Sequence, residues 1–274
     1  MRTVLSLLFA ALFFAQTASA APIWLERRAV PKAEIIDARF ALRDDASTII
    51  VDHSLWDEFL KTYVVAGEDE INRVRYRAID AEAIEGLSRY IASLEAIDPA
   101  ALSPSEQLAF WINLYNAATI RLIAENPGID SIRDIKKPWG QTVVTVAAVP
   151  LTLGDIEHGV LRPVFKDPRV HYAVNCASIG CPNLALDAYA GALINEELER
   201  AARAYVNHPR GVAVEEGRVA VSKIYGWYQK DFGADDAEIL AHIRKYADPD
   251  LLLSLEGVSE IGDYRYDWSL NKSE

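Results

Sequence analysis

Apolar residues recur at helical spacing along most of the chain and alternate with polar residues only in short runs. The helical spacing predicts helices over residues 54–66, 81–97, 104–125, 193–206 and 238–246, with a short one from Asp155 that ends at Pro163. The alternating runs predict strands over residues 74–79, 142–148, 170–174, 212–214 and 218–221. Because the strands do not alternate regularly with the helices, we expect an α+β fold: a helix-dominated single domain with small antiparallel strands.

The predicted helix over residues 104–125 has the clearest start and stop signals. Ser103 and Glu106 form the pattern of a capping box around Pro104, and Asn-Pro-Gly at residues 126–128 ends the helix. Its residues are apolar on almost every side, which is typical of a helix surrounded by protein. We therefore expect it to be the central buried helix of the domain.

Three polar residues of this helix, Glu106, Asn113 and Asn116, lie within about 80° of one another at roughly 100° per residue. Buried asparagines need hydrogen-bond partners. The sequence leaves two roles open for this polar arc. It satisfies the backbone of loops and fixes packing, or it lines a pocket and orients a catalytic group.

The N-terminus has the pattern of a secretory signal peptide. Arg2 supplies the positive charge, residues 4–14 form the apolar core, and Ala-Ser-Ala at residues 18–20 is a cleavage site. The apolar run is too short to span a membrane comfortably, and no second long run follows. The sequence predicts a signal peptide over residues 1–20 and a periplasmic or secreted protein without a membrane span.

Composition and charge limit the roles of the remaining chain. Residues 21–50 are mixed in pattern and are expected to form an N-terminal extension laid over one globular domain, residues 51–274. A formal net charge of −12 argues against nucleic acid as a partner, because binding the phosphate backbone requires a basic face. Since no glycine-rich phosphate-binding motif is present, no cofactor is expected.

Residues 169–182 contain both cysteines of the chain, Cys176 and Cys181, together with His171. In an oxidising compartment two cysteines this close can form a disulfide, and closing so short a ring contributes about 2 kcal/mol. The spacing is not C-x-x-C, so a thioredoxin-like redox motif is not indicated. One hypothesis is therefore a structural disulfide between Cys176 and Cys181.

The rival hypothesis makes Cys176 a nucleophile for acyl transfer or amide hydrolysis. Such chemistry requires a histidine that takes the proton and a group that orients the histidine. We expect His158 to be the base, because His171 would lie about 16 Å from Cys176 on an extended strand. The asparagines of the polar arc and Asp231 are the candidate orienting groups, and His171 is a further catalytic candidate.

Other polar and aromatic residues are candidates for binding an unknown peptide, amide or small-molecule ligand. They are Glu106, Arg162, Trp227 and Asp231. Trp227 belongs to an aromatic run over residues 225–232, which is either part of the core or a platform for a carbohydrate or peptide.

The histidines also raise the question of a metal site. A zinc site at His158, His171 and Cys176 would lack the usual spacing motifs, so no metal is assigned. The remaining histidines, His53, His208 and His242, are expected at the surface or in helix caps.

Several segments occur together in an order that is typical of one protein family. They are residues 106–117, residues 155–158 with Arg162, residues 167–178, residues 180–182, residues 222–228, Asp231 with Phe232, and residues 266–271. On these segments the chain resembles the family catalogued as domain of unknown function 547, over roughly residues 55–271. The resemblance implies no particular activity. Two functions stay open: a cysteine-dependent hydrolase or acyl transferase, and a non-catalytic binding or scaffold domain with a Cys176–Cys181 disulfide.

Overall fold

The computed structural model describes residues 22–273, so the predicted signal peptide, residues 1–20, lies outside the described residues. The α-helices are α1 (Ile23–Ala29), α2 (Ser54–Tyr63), α3 (Ala81–Glu95), α4 (Pro104–Ala124), α5 (Leu153–Ile156), α6 (Val170–Ala173), α7 (Ile194–Val206), α8 (Lys223–Trp227), α9 (Gln229–Phe232), α10 (Asp236–Tyr246) and α11 (Pro249–Ser254). A π-helix, Glu157–Phe165, follows α5 directly. None of the helices among residues 22–273 is long and apolar enough to cross a membrane.

Seven short strands form three small sheets in the described part of the chain. They are β1 (Val64–Ala66), β2 (Asn72–Val74), β3 (Thr142–Val146), β4 (Val149–Thr152), β5 (Val212–Glu215), β6 (Arg218–Ser222) and β7 (Asp263–Arg265). The pairs β1–β2, β3–β4 and β5–β6 are antiparallel, whereas β7 adds to β6 in parallel, with Val221 opposite Tyr264. The predicted helix-dominated α+β fold is confirmed.

Helix α4 is the central buried helix, as its apolar pattern predicts. Every residue from Glu106 to Ile120 is buried, including the large rings of Phe110 and Trp111. Burying each such ring stabilises the fold by roughly 1.5–3 kcal/mol. The predicted capping box is only half formed: the Ser103 hydroxyl accepts the Glu106 N–H at 3.4 Å, but the Glu106 carboxylate accepts the N–H of Val51 instead of turning back.

Two apolar clusters form the interior. The first surrounds α4 and includes α2, α3 and the loop that carries the cysteines, residues 174–182, which we call the cysteine loop. The second is rich in tyrosine and is built from α7, the β5–β6 hairpin and helices α8 to α10. Their packing brings the C-terminal segment, residues 263–271, next to the cysteine loop, since Ile179 N–H donates to the Ser269 carbonyl at 2.8 Å.

The expected strand over residues 170–174 is wrong, because Val170–Ala173 is the helical turn α6. The turn starts at Asp167, whose carboxylate accepts the N–H of Arg169 at 2.9 Å, and whose carbonyl accepts the N–H of Val170. A local side-chain cap therefore overrides the strand preference of the β-branched and aromatic residues.

The expected helix end at Pro163 is also wrong. The chain continues as a π-helix to Phe165 with Pro163 inside it. A π-helix pairs residues five apart, which moves the carbonyl that would otherwise meet the proline ring.

Smaller errors lie at element ends. The predicted helix over residues 54–66 ends at Tyr63, because the chain continues as strand β1 from Val64. The predicted strand over residues 74–79 ends at Val74 and gives way to a 3₁₀ turn. The predicted strand over residues 142–148 ends at Val146, and a further strand, β4, which was not predicted, starts at Val149.

His53 is the N-cap residue of α2, as expected of a capping residue, although its side chain makes no capping hydrogen bond, whereas His242 lies inside α10 and is neither a cap nor exposed. His53 is buried, its Nδ1 lies 2.7 Å from the Tyr90 hydroxyl, and burial lowers its pKa to about 4. His242 stacks on Tyr172 and its pKa is likewise lowered to about 4 by burial. His208 lies near the surface, and its Nδ1 accepts the N–H of Arg210 at 3.1 Å.

Candidate functional site

A cavity of about 370 Å³ opens beside the cysteine loop, between the two apolar clusters. Its walls are aromatic, with three indoles from Trp139, Trp227 and Trp268. Its ionisable side chains include the carboxylates of Glu26 and Glu157 and the imidazoles of His158 and His171, and both cysteines also line it. This volume and this mixture of apolar walls with few polar groups are typical of small-molecule sites.

The two cysteines lie at disulfide distance and are bonded to each other, with their Cα atoms 6.3 Å apart. Neither cysteine of the chain is free. Cys181 is buried, whereas Cys176 is partly exposed to the cavity. The hydroxyl of Tyr266 lies 3.2 Å from the Cys176 sulfur and 3.1 Å from the Cys181 sulfur, and the Ser178 hydroxyl lies beside both.

The cysteine loop is held in a strained conformation by buried asparagines. Ala177, directly after Cys176, has φ +61°, a left-handed conformation that non-glycine residues seldom adopt. The side chain of Asn175 accepts the Ala177 N–H at 2.8 Å and donates to the Pro182 carbonyl at 2.7 Å, so it spans the loop. Asn271 adds a backbone N–H to the Ala177 carbonyl at 3.0 Å.

Of the polar arc on α4, only Asn116 touches the cysteine loop. Its amide donates to the Ala173 carbonyl and accepts the N–H of Asn175, both at 2.9 Å. Asn113 forms the same pair of bonds with the backbone of Tyr189. Neither asparagine lines the cavity, and both satisfy loop backbone.

His171 reaches the cavity because α6 is a helical turn rather than a strand. Its Nε2 lies 2.7 Å from a carboxylate oxygen of Asp231, and its Nδ1 lies 4.0 Å from Glu157. The ring of Tyr228 stacks on the imidazole with centroids 4.2 Å apart. The carboxylate and the stacked ring together fix the plane of the imidazole.

Asp231 is also held by Arg162, which approaches with Nε at 2.6 Å and Nη2 at 3.2 Å. Burial by itself raises the pKa of Asp231, but the hydrogen bonds from His171 and Arg162 outweigh it and lower the pKa to about 2. Asp231 is therefore a carboxylate at neutral pH that orients His171. Asp231 and Arg162, both candidates for ligand binding, bind each other and do not line the cavity.

His158 is oriented differently from His171. Its Nδ1 lies 3.1 Å from Nη1 of Arg162. Because a guanidinium can only donate, Nδ1 accepts this hydrogen bond and the neutral ring carries its proton on Nε2. Burial lowers the pKa of His158, and the charge of Arg162 adds to this against the opposing effect of Glu157. His158 thus offers an N–H donor rather than a free lone pair.

Glu157 was not among the candidates from the sequence, yet it is the buried acid of the cavity. The Tyr115 hydroxyl donates to its carboxylate at 3.2 Å, and Tyr228 donates a second hydrogen bond. Burial by itself raises the pKa of Glu157, but the two neighbouring histidines and the bond from Tyr228 outweigh it and lower the pKa below its ordinary range.

Helix α1 of the N-terminal extension covers one side of the cavity. Its Glu26 accepts hydrogen bonds from Lys223 at 2.5 Å and from the Trp227 indole at 2.7 Å. Arg27 donates to the Gly226 carbonyl at 2.6 Å. The side chain of Ile23 also packs against Gly226, so α1 is attached to α8 by both polar and apolar contacts.

The two remaining candidates for ligand binding, Trp227 and Glu106, lie far apart in the structure. Trp227 lines the cavity, whereas Glu106 lies on the far end of α4, where it binds the backbone of Val51. No group of three or more His, Cys, Asp or Glu side chains within residues 22–273 is arranged to hold a metal ion. Tyr266 and Ser178, which touch the sulfurs, carry no sequence signal that would assign them to the site.

Comparison with known proteins gives a family and no relative of known activity. Residues 99–206 match the family model described as "Protein of unknown function, DUF547". No curated protein and no solved structure matches the chain. The match spans α4 to α7 and is shorter than the resemblance over residues 55–271, so it leaves out Asp231 and the aromatic C-terminal segment. The part of the chain that carries both cysteines and both cavity histidines is therefore similar to the family described as "Protein of unknown function, DUF547".

Proposed function

We propose that this protein is a secreted or periplasmic cysteine-dependent acyl transferase or amide hydrolase. In this proposal Cys176 is the nucleophile, and the Cys176–Cys181 disulfide is a reversible lock on it. The single observation that carries the proposal is that the Cys176 sulfur shares one cavity with a histidine held by a carboxylate, His171.

The hydrogen bonds favour His171 over His158 as the base. His171 donates Nε2–H to Asp231, so its Nδ1 keeps the lone pair that a base needs. The corresponding lone pair of His158 already accepts a hydrogen bond from Arg162. His158 is better suited to donate Nε2–H to the oxygen of a reacting carbonyl, the role of an oxyanion-hole donor.

Cys176 is favoured over Cys181 as the nucleophile by exposure and by backbone strain. Cys181 is 3 % exposed, whereas Cys176 is partly exposed to the cavity. The left-handed residue Ala177 follows Cys176 directly, and such strain persists where surrounding structure enforces it, often at active sites.

The chemistry starts with reduction of the lock. A small thiol attacks the Cys176 sulfur and expels Cys181 as a thiolate, which the backbone N–H of Cys176 is placed to stabilise, since it lies 3.0 Å from that sulfur. A second thiol then releases Cys176 and forms a disulfide with the first thiol. His171 takes the Cys176 proton, and the thiolate attacks the acyl carbon of the substrate. The leaving amine receives the proton from His171, and water or a second amine cleaves the thioester.

The test uses p-nitrophenyl acetate as a generic acyl donor. We expect wild type to release p-nitrophenol only after reduction, and Cys181→Ser to do so with or without reductant. Cys176→Ser should be inactive in both conditions. Full activity of Cys176→Ser would overturn the proposal, and so would activity of oxidised wild type equal to that of the reduced protein.

The proposed location rests on the sequence pattern of residues 1–20. Mass spectrometry of the protein from separated cell fractions and culture medium tests it. A mature chain that begins near Ala21 in the periplasm or medium is expected, and full-length protein confined to the cytoplasm would contradict it.

A second candidate is a non-catalytic binding or scaffold domain. The observation that favours it is the bonded cysteine pair, because a disulfide leaves no thiolate. This alternative predicts that Cys176→Ser and Cys181→Ser lose equal stability, and that neither variant transfers an acetyl group.

A further inference from the structure

We infer that the cavity binds a molecule bearing an ammonium group, which lies against the aromatic wall and faces the Glu157 carboxylate. This assignment deepens the proposed function, since it makes an ammonium-bearing amide the substrate class. The binding itself requires neither a free cysteine nor a chemical step, so it can be tested apart from catalysis.

The first observation is the arrangement of the aromatic rings. Trp268 lies 4.6 Å from Tyr266, 5.4 Å from Trp227 and 5.8 Å from Trp139, measured between ring centroids. The interplanar angles are 55°, 33° and 67°, so none of these pairs is a parallel stack. All four rings line the cavity, so together they form an aromatic wall on one side of it, and aromatic faces are the groups that bind alkylammonium ions.

The second observation is the charge of the lining. The described residues that line the cavity include two carboxylates, Glu26 and Glu157, and neither lysine nor arginine. Glu26 is paired with Lys223 outside the cavity. Glu157 is 5 % exposed and accepts hydrogen bonds from tyrosine hydroxyls, while Nδ1 of His171 lies 4.0 Å away. A cationic ligand would add positive charge beside this carboxylate, whereas an anionic ligand would meet it at a cost.

The third observation is that two aromatic rings that line the cavity, Trp268 of the wall and Tyr228 beside His171, already contact cations of the protein. The guanidinium of Arg133 lies 5.3 Å from the ring centroid of Trp268, and that of Arg162 lies 4.8 Å from the ring of Tyr228. These contacts place positive charge over the π faces, as an ammonium group in the cavity would do.

The experiment compares choline with 3,3-dimethylbutan-1-ol, a neutral molecule of nearly the same shape. Binding to the full-length protein is measured by calorimetry, in wild type and in Cys176→Ser. We expect choline to bind about fivefold to thirtyfold more tightly than the neutral isostere in both proteins. Trp268→Leu and Glu157→Gln should each lower that ratio. Trp24→Leu is the matched control, because Trp24 is exposed and does not line the cavity.

The ratio of the two affinities distinguishes a loss of ammonium recognition from a loss of folding, because a variant whose cavity has collapsed binds neither ligand. Equal affinity for the two ligands overturns the inference, and so does the absence of choline binding to wild type. A ratio unchanged by both cavity substitutions also overturns it. A preserved ratio in Cys176→Ser without acyl transfer in wild type would refute the proposed function while leaving the ammonium site intact. Acyl transfer by a protein that binds choline no better than the neutral isostere would refute the ammonium site and leave the proposed function intact.

Discussion

Replacing Asn116 by alanine should loosen the cysteine loop, because this side chain ties α4 to the segment that leads into the loop. The amide of Asn116 bonds the carbonyl of Ala173 and the N–H of Asn175, and all three residues are buried. Alanine removes both partners and leaves one backbone acceptor and one backbone donor without a hydrogen bond. The loss of order should therefore start at the entrance to the loop.

The magnitude follows from these two groups. An unsatisfied buried polar group costs about 1–3 kcal/mol, so the free energy of unfolding should fall by about 2–6 kcal/mol. A domain of ordinary stability, about 5–15 kcal/mol, can still fold after such a loss. Part of the cost should be relieved by local opening of the loop, which exposes the disulfide to reductant.

Asn113→Ala provides a matched control. Asn113 is equally buried on the same helix and forms the same two kinds of bond, but with Tyr189, away from the cavity. Urea unfolding followed by tryptophan fluorescence gives the free energies, and the rate of disulfide reduction in native buffer gives the opening of the loop. Both variants should lose similar stability, and only Asn116→Ala should be reduced faster. A loss below about 1 kcal/mol in Asn116→Ala, or equally fast reduction of both variants, would refute the reasoning.

Three further predictions concern helix α1, which covers the cavity, the carboxylate of Asp231 and the buried imidazole of His53. Glu26→Ala should release α1 from Trp227 and raise the reduction rate of the disulfide several-fold with little change in melting temperature. An unchanged rate would contradict the claim that α1 shields the cavity. Asp231→Asn should lower acetyl transfer by the reduced protein about 100-fold or more, because an orienting carboxylate sets the tautomer of His171, and wild-type activity would refute that role. His53 has a folded pKa of about 4, lowered by burial from the usual 6.5, so its contribution to stability is full above pH 6.5 and falls as the pH drops toward 4. Urea unfolding at several pH values should show a shallower decline in His53→Gln, and an identical decline would contradict the assignment.

The central helix could be predicted because its signals are local. Its start at Ser103, its end before Pro127 and its apolar surface all lie within one segment of the chain. The partners of its polar residues could not be predicted in the same way. Asn116 meets a carbonyl 57 residues away and Asn113 meets one 76 residues away, so only the packed structure brings these groups together.

The position of His171 shows why the site itself was harder to predict. The β-branched and aromatic residues around it favour a strand, which would place it far from Cys176. A side-chain cap at Asp167 makes the segment helical instead, and Asp231, 60 residues later, then meets the imidazole. Periodicity reports the average preference of a segment and cannot show a cap that outweighs it.

The surroundings of the aromatic run over residues 225–232 could not be predicted from the sequence either. Trp227 and Tyr228 belong to a run that the sequence leaves as either core or platform, and the structure places the members of that run in different surroundings. Trp227 and Tyr228 line the cavity, whereas Tyr225 and Phe232 lie in the second apolar cluster. The division depends on the turn between α8 and α9, which changes the direction of successive side chains.

The most direct test of the account is the pH dependence of iodoacetamide alkylation at Cys176 in Cys181→Ser, where the lock cannot close. An unperturbed thiol titrates near pH 8.5, and a thiol activated by a neighbouring histidine titrates lower. We expect a midpoint below that value, which moves upward in Cys181→Ser/His171→Gln and much less in Cys181→Ser/His158→Gln. A midpoint at or above the ordinary value, insensitive to His171, would contradict the claim that Cys176 is a nucleophile.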